Sequence, residues 1–136
     1  MDELKVQARI VKEALRVKGW ARKIGNPQQA GTPDLFIKLH AMEAVMVECK
    51  MKKLNLSPIQ RETMKRIQQA GMPCGWAVYQ KEGTVHQLFI GADPDTKIAV
   101  APENCWMIQY TGKTWDIAEI VKAVLYWSDD YRKGVG

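Results

Sequence analysis

From Glu3 to Lys18 the apolar positions recur at helical spacing. Leu4, Ala8, Val11 and Leu15 form one stripe, expected to face the core, and Glu3, Gln7, Ile10 and Ala14 form its neighbour. Asp2 stands where an N-cap belongs and Gly19 where a helix stops. A short strand, Trp20–Ile24, is followed by a loop over Gly25–Thr32, rich in Gly, Asn, Pro and Gln. Leu35–Leu39 and Ala44–Met51 read as two strands of a hairpin turning at His40–Glu43. The second is apolar on both faces up to Glu48, the pattern of a strand in the middle of a sheet.

Ser57–Gly71 is the best-marked helix, with Ser57 as N-cap, Pro58 at its first position and Gly71 at its stop. Ile59, Thr63, Ile67 and Ala70 are expected to face inward; Arg61, Lys65, Arg66, Gln68 and Gln69 are left for solvent or a ligand. Cys74–Gln80 and Thr84–Ile90 are strands around a Lys81-Glu82-Gly83 turn, and Ile98–Ala101 and Trp106–Tyr110 are weaker ones. Thr114 is expected to cap a last helix running to about Trp127, with a loose polar tail from Ser128 to Gly136. The sum is one α/β domain, a mixed central sheet flanked by helices.

Composition narrows this reading little. The 136 residues are 46% hydrophobic and 26% charged, as in an ordinary globular domain. Twenty Lys and Arg against 15 Asp and Glu leave a net charge of +5, compatible with a polyanionic partner but not diagnostic of one. Cys49, Cys74 and Cys105 are odd in number and far apart, so neither a disulfide framework nor a zinc site is expected. Reduced thiols point to a cytoplasmic chain. The N-terminus lacks a signal-peptide pattern, and no apolar run approaches the ~20 residues that span a bilayer.

The candidate chemistry lies in Asp34, Glu48 and Lys50. Asp34 opens one strand of the hairpin, and Glu48 and Lys50, two apart on the other, point to the same side. Two carboxylates within reach of one another suit Mg²⁺ or Mn²⁺, and a lysine beside them can stabilise charge on a phosphodiester under attack. The competing reading is a buried Glu48–Lys50 salt bridge without catalysis, since charges on a central strand are costly unless paired or metal-bound.

Gly31-Thr32-Pro33-Asp34-Leu35, Val47-Glu48-Cys49-Lys50 and Leu56-Ser57-Pro58-Ile59-Gln60-Arg61, with the opening Glu3…Val6-Gln7…Ile10 and Gly19, together resemble the VRR-NUC (virus-type replication-repair nuclease) domain of the PD-(D/E)xK superfamily. The resemblance covers roughly residues 3 to 80 and implies a restriction-endonuclease-like fold. It implies metal binding by Asp34, Glu48 and the Cys49 backbone carbonyl, catalysis by Lys50, and support from Glu3 on the first helix. Glu13 is the rival for that last role, with a solvated glutamate as its plain alternative. Gln60 matches the family's glutamine after the catalytic strand. Ser57-x-x-Gln60 is equally a capping box, so both readings stand.

Lys52, Lys53, Arg61, Lys65 and Arg66 are candidate contacts to a DNA backbone, and Gln28 and Gln29 in the loop before Asp34 could touch sugar or phosphate. His40 and His86 lie on no metal-ligand spacing and read as structural or surface residues, the five tryptophans as core or interface. Free-standing domains of this kind, from phages and bacteria, are associated with dimers that cut Holliday junctions. The leading expectation is a Mg²⁺-dependent endonuclease, a homodimer acting on branched DNA, with Mn²⁺ able to substitute. A sequence-specific restriction-like nuclease and a catalytically silent nucleic-acid-binding module are the alternatives. Trp106, Met107, Ile108, Tyr110, Trp115, Tyr126 and Trp127 supply material for a dimer interface.

Overall fold

The computed structural model describes residues 2–25, 30–96 and 104–135. The elements run α1 (Glu3–Arg16), β1 (Trp20–Lys23), β2 (Leu35–Lys38), β3 (Val45–Met51), α2 (Pro58–Gln69), β4 (Cys74–Glu82), β5 (Val85–Gly91), β6 (Trp106–Tyr110) and α3 (Ile117–Val135). The expected strand Ile98–Ala101 and the glutamines Gln28 and Gln29 lie outside the described residues.

The six strands form one sheet in sequence order. Every neighbouring pair is antiparallel except β3 and β4, which are parallel. A parallel step needs a crossover, and α2 supplies it. The sheet is therefore mixed and flanked by helices, as the residue pattern indicates. β2 and β3 form the expected hairpin, and β3 lies between β2 and β4. The β4–β5 turn falls one residue later than expected: Glu82 pairs with Val85 around Gly83, whose φ of 62° suits the tight turn.

Alternate side chains fill two cores. On one face Val45, Val47 and Cys49 pack with Ala77 and Tyr79 beneath α1 (Val6, Ile10, Ala14) and α3 (Ile117, Ile120, Val121, Val124). On the other, Trp76 and Val78 pack with Met64 of α2 and with Leu54 and Leu56 of the preceding loop.

Both early helices turn a different stripe inward than apolar spacing selects. In α1 the buried residues are Val6, Gln7, Ile10, Glu13 and Ala14, while Leu4 and Leu15 are 63% and 54% exposed. In α2 the buried residues are Met64 and Gln68, and Ile59 is exposed. Polar partners explain both. Glu13 accepts a hydrogen bond from the Trp115 N–H at 2.9 Å, and its carboxylate is flanked by Arg9 and Arg16. Gln68 donates to the carbonyls of Cys74 and Ala92, both at 2.8 Å. Such burial is stable because backbone groups answer it.

The last helix also departs from expectation. Asp116, not Thr114, caps it by accepting from the Glu119 N–H, and the helix continues through the supposed loose tail to Val135. Buried Ser128 anchors it by accepting from the Cys74 N–H, and Lys133 pairs with Asp129 further along.

Candidate active site

Asp34 enters through a tightly packed turn. Gly31 has φ of 90°, and a side chain there would collide with the Ile59 carbonyl at 2.8 Å and Thr63 Oγ1 at 2.7 Å. Only glycine combines that backbone with that approach, so the loop delivering Asp34 is pinned to α2. On the other side the N–H groups of Ile24 and Gly25 both reach the Asp34 carbonyl, at 2.9 and 3.4 Å. The Asp34 carboxylate then accepts from the Cys49 N–H at 2.8 Å.

That last bond follows from strand geometry. Backbone groups leave a strand alternately to either side. The Met46 N–H bonds to Pro73 beside β4, so Val45, Val47 and Cys49 direct their N–H and C=O toward β2. Leu35 opens β2 and pairs with Val47, so Cys49 projects past the end of that strand, where the Asp34 carboxylate takes the place of a ladder partner. The Cys49 carbonyl leaves on the same side. Its thiol lies in the core, where burial first, and then Asp34, Glu48 and Glu3, push its pKa far up, so the backbone alone is available for chemistry.

Glu48 is only 3% exposed and lies on the α2 face of the sheet. Gln60 Nε2 donates to its Oε1 at 3.2 Å, while its Oε2 is buried and, among the described residues, receives no N–H, with the Asp34 carboxylate beside the pair. Burial first, and then the adjacent Asp34 carboxylate, push the Glu48 pKa up to about 9, while Lys50 pulls it down. Two carboxylates so close stay together only by sharing a proton or a cation. Glu3, at the first turn of α1, is within electrostatic reach. Burial and then Asp34 raise its pKa, and Lys50 lowers it. Glu13 is absent from this neighbourhood and is not the solvated residue its plain reading supposed; it is a buried structural acid.

Gln60 completes the expected capping box and also contacts Glu48. Its Oε1 accepts from the Ser57 N–H at 2.9 Å and its N–H donates to Ser57 Oγ at 3.2 Å, completing a capping box. Its remaining amide hydrogens face Glu48. The start of α2 therefore fixes the orientation of the Glu48 carboxylate.

The donor set fits a small divalent cation. It offers hard carboxylate oxygens, a buried Glu48 oxygen that receives no N–H among the described residues, and the Cys49 carbonyl on the Asp34 side. Among the described residues no group of three or more His, Cys, Asp or Glu side chains stands at ligating distance, so further positions fall to backbone, water and substrate oxygens.

The basic candidates are placed unequally. Lys52 and Lys53 are exposed just beyond β3 and make no ion pair among the described residues. Arg61 lies half-buried one residue beyond Gln60. Lys65 pairs with Asp95 and Arg66 with Glu62, both at 3.0 Å. Neither pair is deeply buried, and such pairs exchange readily for a phosphate. His40 is exposed, and His86 lies against the Tyr79 hydroxyl at 2.6 Å. Apolar periodicity alone gives no sign of Ile24 and Gly25 as supports for Asp34; their role depends on the β1–β2 register.

No family model matches the chain, and no curated protein matches it. A solved structure described as "VRR_NUC domain" is similar to it at 25% identity and a TM-score of 0.48, over 56% of this chain and 82% of that one. No helix among the described residues is long and apolar enough to cross a membrane.

Proposed function

We propose that this chain is a metal-dependent DNA endonuclease that hydrolyses phosphodiester bonds in branched DNA such as four-way junctions, with Mg²⁺ as its ion and Mn²⁺ as a substitute. The observation carrying this reading is Glu48: a buried carboxylate against Asp34, one oxygen oriented by Gln60 and the other receiving no N–H among the described residues, on the same strand face as Lys50. A plain Glu48–Lys50 salt bridge does not explain why Asp34 stands there too, and a second carboxylate makes the arrangement costlier without a cation.

Asp34 and Glu48 would hold the ion, with the Cys49 carbonyl as a further oxygen. When bound, it would supply Lewis-acid activation of water and of a phosphodiester oxygen. Lys50 offsets the negative charge that builds up on the phosphoryl oxygens and orients the attacking water. Glu3 adds negative potential beside the ion, and Gln60 prevents Glu48 from rotating away. Lys52, Lys53 and Arg61 extend the positive field from the site, and Lys65 and Arg66 join it by exchanging carboxylate for phosphate.

A four-way junction has two-fold symmetry and needs opposed cuts, so we assign the working form as a homodimer. Exposed Trp106 on edge strand β6, with Tyr126 stacked on it at 4.8 Å, and exposed Met107 on the opposite face of the same strand give that edge the apolar area that fits a second copy. Buried Ile108 and Trp115 belong instead to the chain's own core.

The deciding experiment is cleavage of labelled four-way junction, flap, duplex and single-stranded DNA with Mg²⁺, Mn²⁺ and chelator. Asp34→Ala, Glu48→Ala and Lys50→Ala are expected to be inactive. Activity in chelator, or in the Asp34 or Glu48 variant, overturns the reading. DNA binding without any cleavage by the wild type identifies a silent binding module. Cleavage confined to one duplex sequence identifies a restriction-like enzyme.

A further inference from the structure

Register places a second set of residues on the sheet face that carries Glu48. Phe36 pairs with Met46, which precedes Glu48 by two residues, and Arg22 pairs with Phe36. Residues directly opposite in an antiparallel pair share a face, as do residues two apart on one strand. Trp20, Arg22, Phe36, Met46, Glu48 and Lys50 therefore all project from the same side.

Helix α2 packs over β4 on this face, while Phe36 on β2 is half-buried. Trp20 is 50% exposed on edge strand β1. Its ring meets Phe36 edge-on, with centroids 5.5 Å apart at 74°, and the Arg22 guanidinium carbon lies 5.6 Å from the Trp20 ring centre. A groove between α1 and the β1 edge is lined by Ala8, Val11, Lys12, Leu15, Arg22 and Lys23, three of them cations. The edge thus combines an aromatic face with positive charge, the chemistry that holds a nucleobase and its phosphates.

We infer that Trp20, braced by Phe36 and flanked by Arg22, is a stacking platform for an unpaired base of the DNA substrate. Trp20 pairs with Lys38, four residues beyond Asp34, which puts the Trp20 backbone about 14 Å from that of Asp34 at ~3.3 Å per residue and one ~4.8 Å strand spacing. That is a few nucleotides along the strand. A base inside a duplex is already stacked on both sides, so only an unpaired one can offer a face to the ring. The substrate class is accordingly branched DNA whose bases are unpaired beside the scissile bond, in a flap or in the opened centre of a four-way junction. This inference rests on the nuclease reading for its substrate, but stacking is measured by binding rather than by cleavage.

The test is fluorescence anisotropy of labelled single-stranded, flap and duplex oligonucleotides in chelator, with wild type, Trp20→Ala and Trp20→Phe. Loss of a stacked base weakens binding by roughly 5- to 150-fold. That loss is expected for Trp20→Ala on single-stranded and flap DNA, with most affinity kept by Trp20→Phe and duplex binding within about twofold of wild type. Wild-type affinity in Trp20→Ala, or equal loss for all three DNAs at an unchanged melting temperature, overturns the platform. Should Trp20→Ala not fold, photocrosslinking a bromodeoxyuridine-substituted single strand to wild type decides. A crosslink on the tryptic peptide Gly19–Arg22 supports the platform, and crosslinks only elsewhere overturn it. If wild type leaves every DNA intact with Mg²⁺ present, the nuclease reading fails while the binding data still judge Trp20.

Discussion

Glu48 and Gln60 are the single side chains at which the proposed chemistry is most directly tested. In the folded, metal-free chain Glu48 keeps its proton up to about pH 9, against 4.5 for an ordinary glutamate. Between those values the unfolded chain has released a proton that the folded chain retains, so stability falls as pH rises. Chemical denaturation in chelator should therefore give lower midpoints at pH 9 than at pH 5, a decline that Glu48→Gln largely removes. A divalent ion needs the deprotonated carboxylate, so Mg²⁺ titration at pH 7 should release protons from wild type, seen by calorimetry in buffers of different ionisation enthalpy, and not from Glu48→Gln. Gln60→Ala removes two things at once, about 0.5–2 kcal/mol of capping and the restraint on Glu48. Both melting temperature and turnover should fall. Gln60→Glu keeps an acceptor for Ser57 but sets a carboxylate against Glu48, so it should recover stability without recovering activity. That Asp34, Glu48 and Lys50 lie together was legible in the sequence because strand alternation puts Glu48 and Lys50 on one face and the β2–β3 hairpin brings Asp34 beside them. The joint role of Gln60 was not, since a pattern cannot show one amide spending its two ends on different partners.

At the scale of elements, legibility follows where the partners lie. The caps of α2 and the β2–β3 hairpin are specified within a few residues and were readable. The inward faces of α1 and α2 were not, because Gln7, Glu13 and Gln68 look like surface residues until backbone groups remote in sequence satisfy two of them. The observed α1 face gives a direct test by denaturant titration. Ile10→Ala should cost about 2–5 kcal/mol, whereas Leu15→Ala, half-exposed on the apolar stripe, should stay within about 0.5 kcal/mol. Gly31→Ala adds a collision to a left-handed backbone, so it should lower turnover along with stability by displacing the loop that carries Asp34.

For the whole molecule, the predictions concern charge and assembly. DNA affinity should fall steeply with salt, and replacing Lys52 or Lys53 should flatten that dependence on every sequence alike. Lys65→Ala should matter less, because Lys65 already has Asp95 as a partner. Light scattering at micromolar concentration should give a dimer, and Met107→Lys should convert it to a monomer that nicks only one strand of a junction. A wild-type monomer, still monomeric on the junction, removes the symmetric-resolvase reading.

The bond between Glu13 and the Trp115 N–H joins positions 102 residues apart, and it has a consequence for the order of events in synthesis. Every residue proposed for catalysis lies in the first half of the chain and leaves the ribosome early. Yet α1, which carries Glu3, keeps a buried acid whose backbone partner is made much later, and α3, which covers the same core, comes later still. Contacts of such long range make folding slow and place it late. A nascent chain thus bears the whole set of residues proposed for catalysis for seconds, at ~5–20 residues per second, before α1 can settle against the sheet. The proposed site is in effect left unassembled until the segment through α3 has been made.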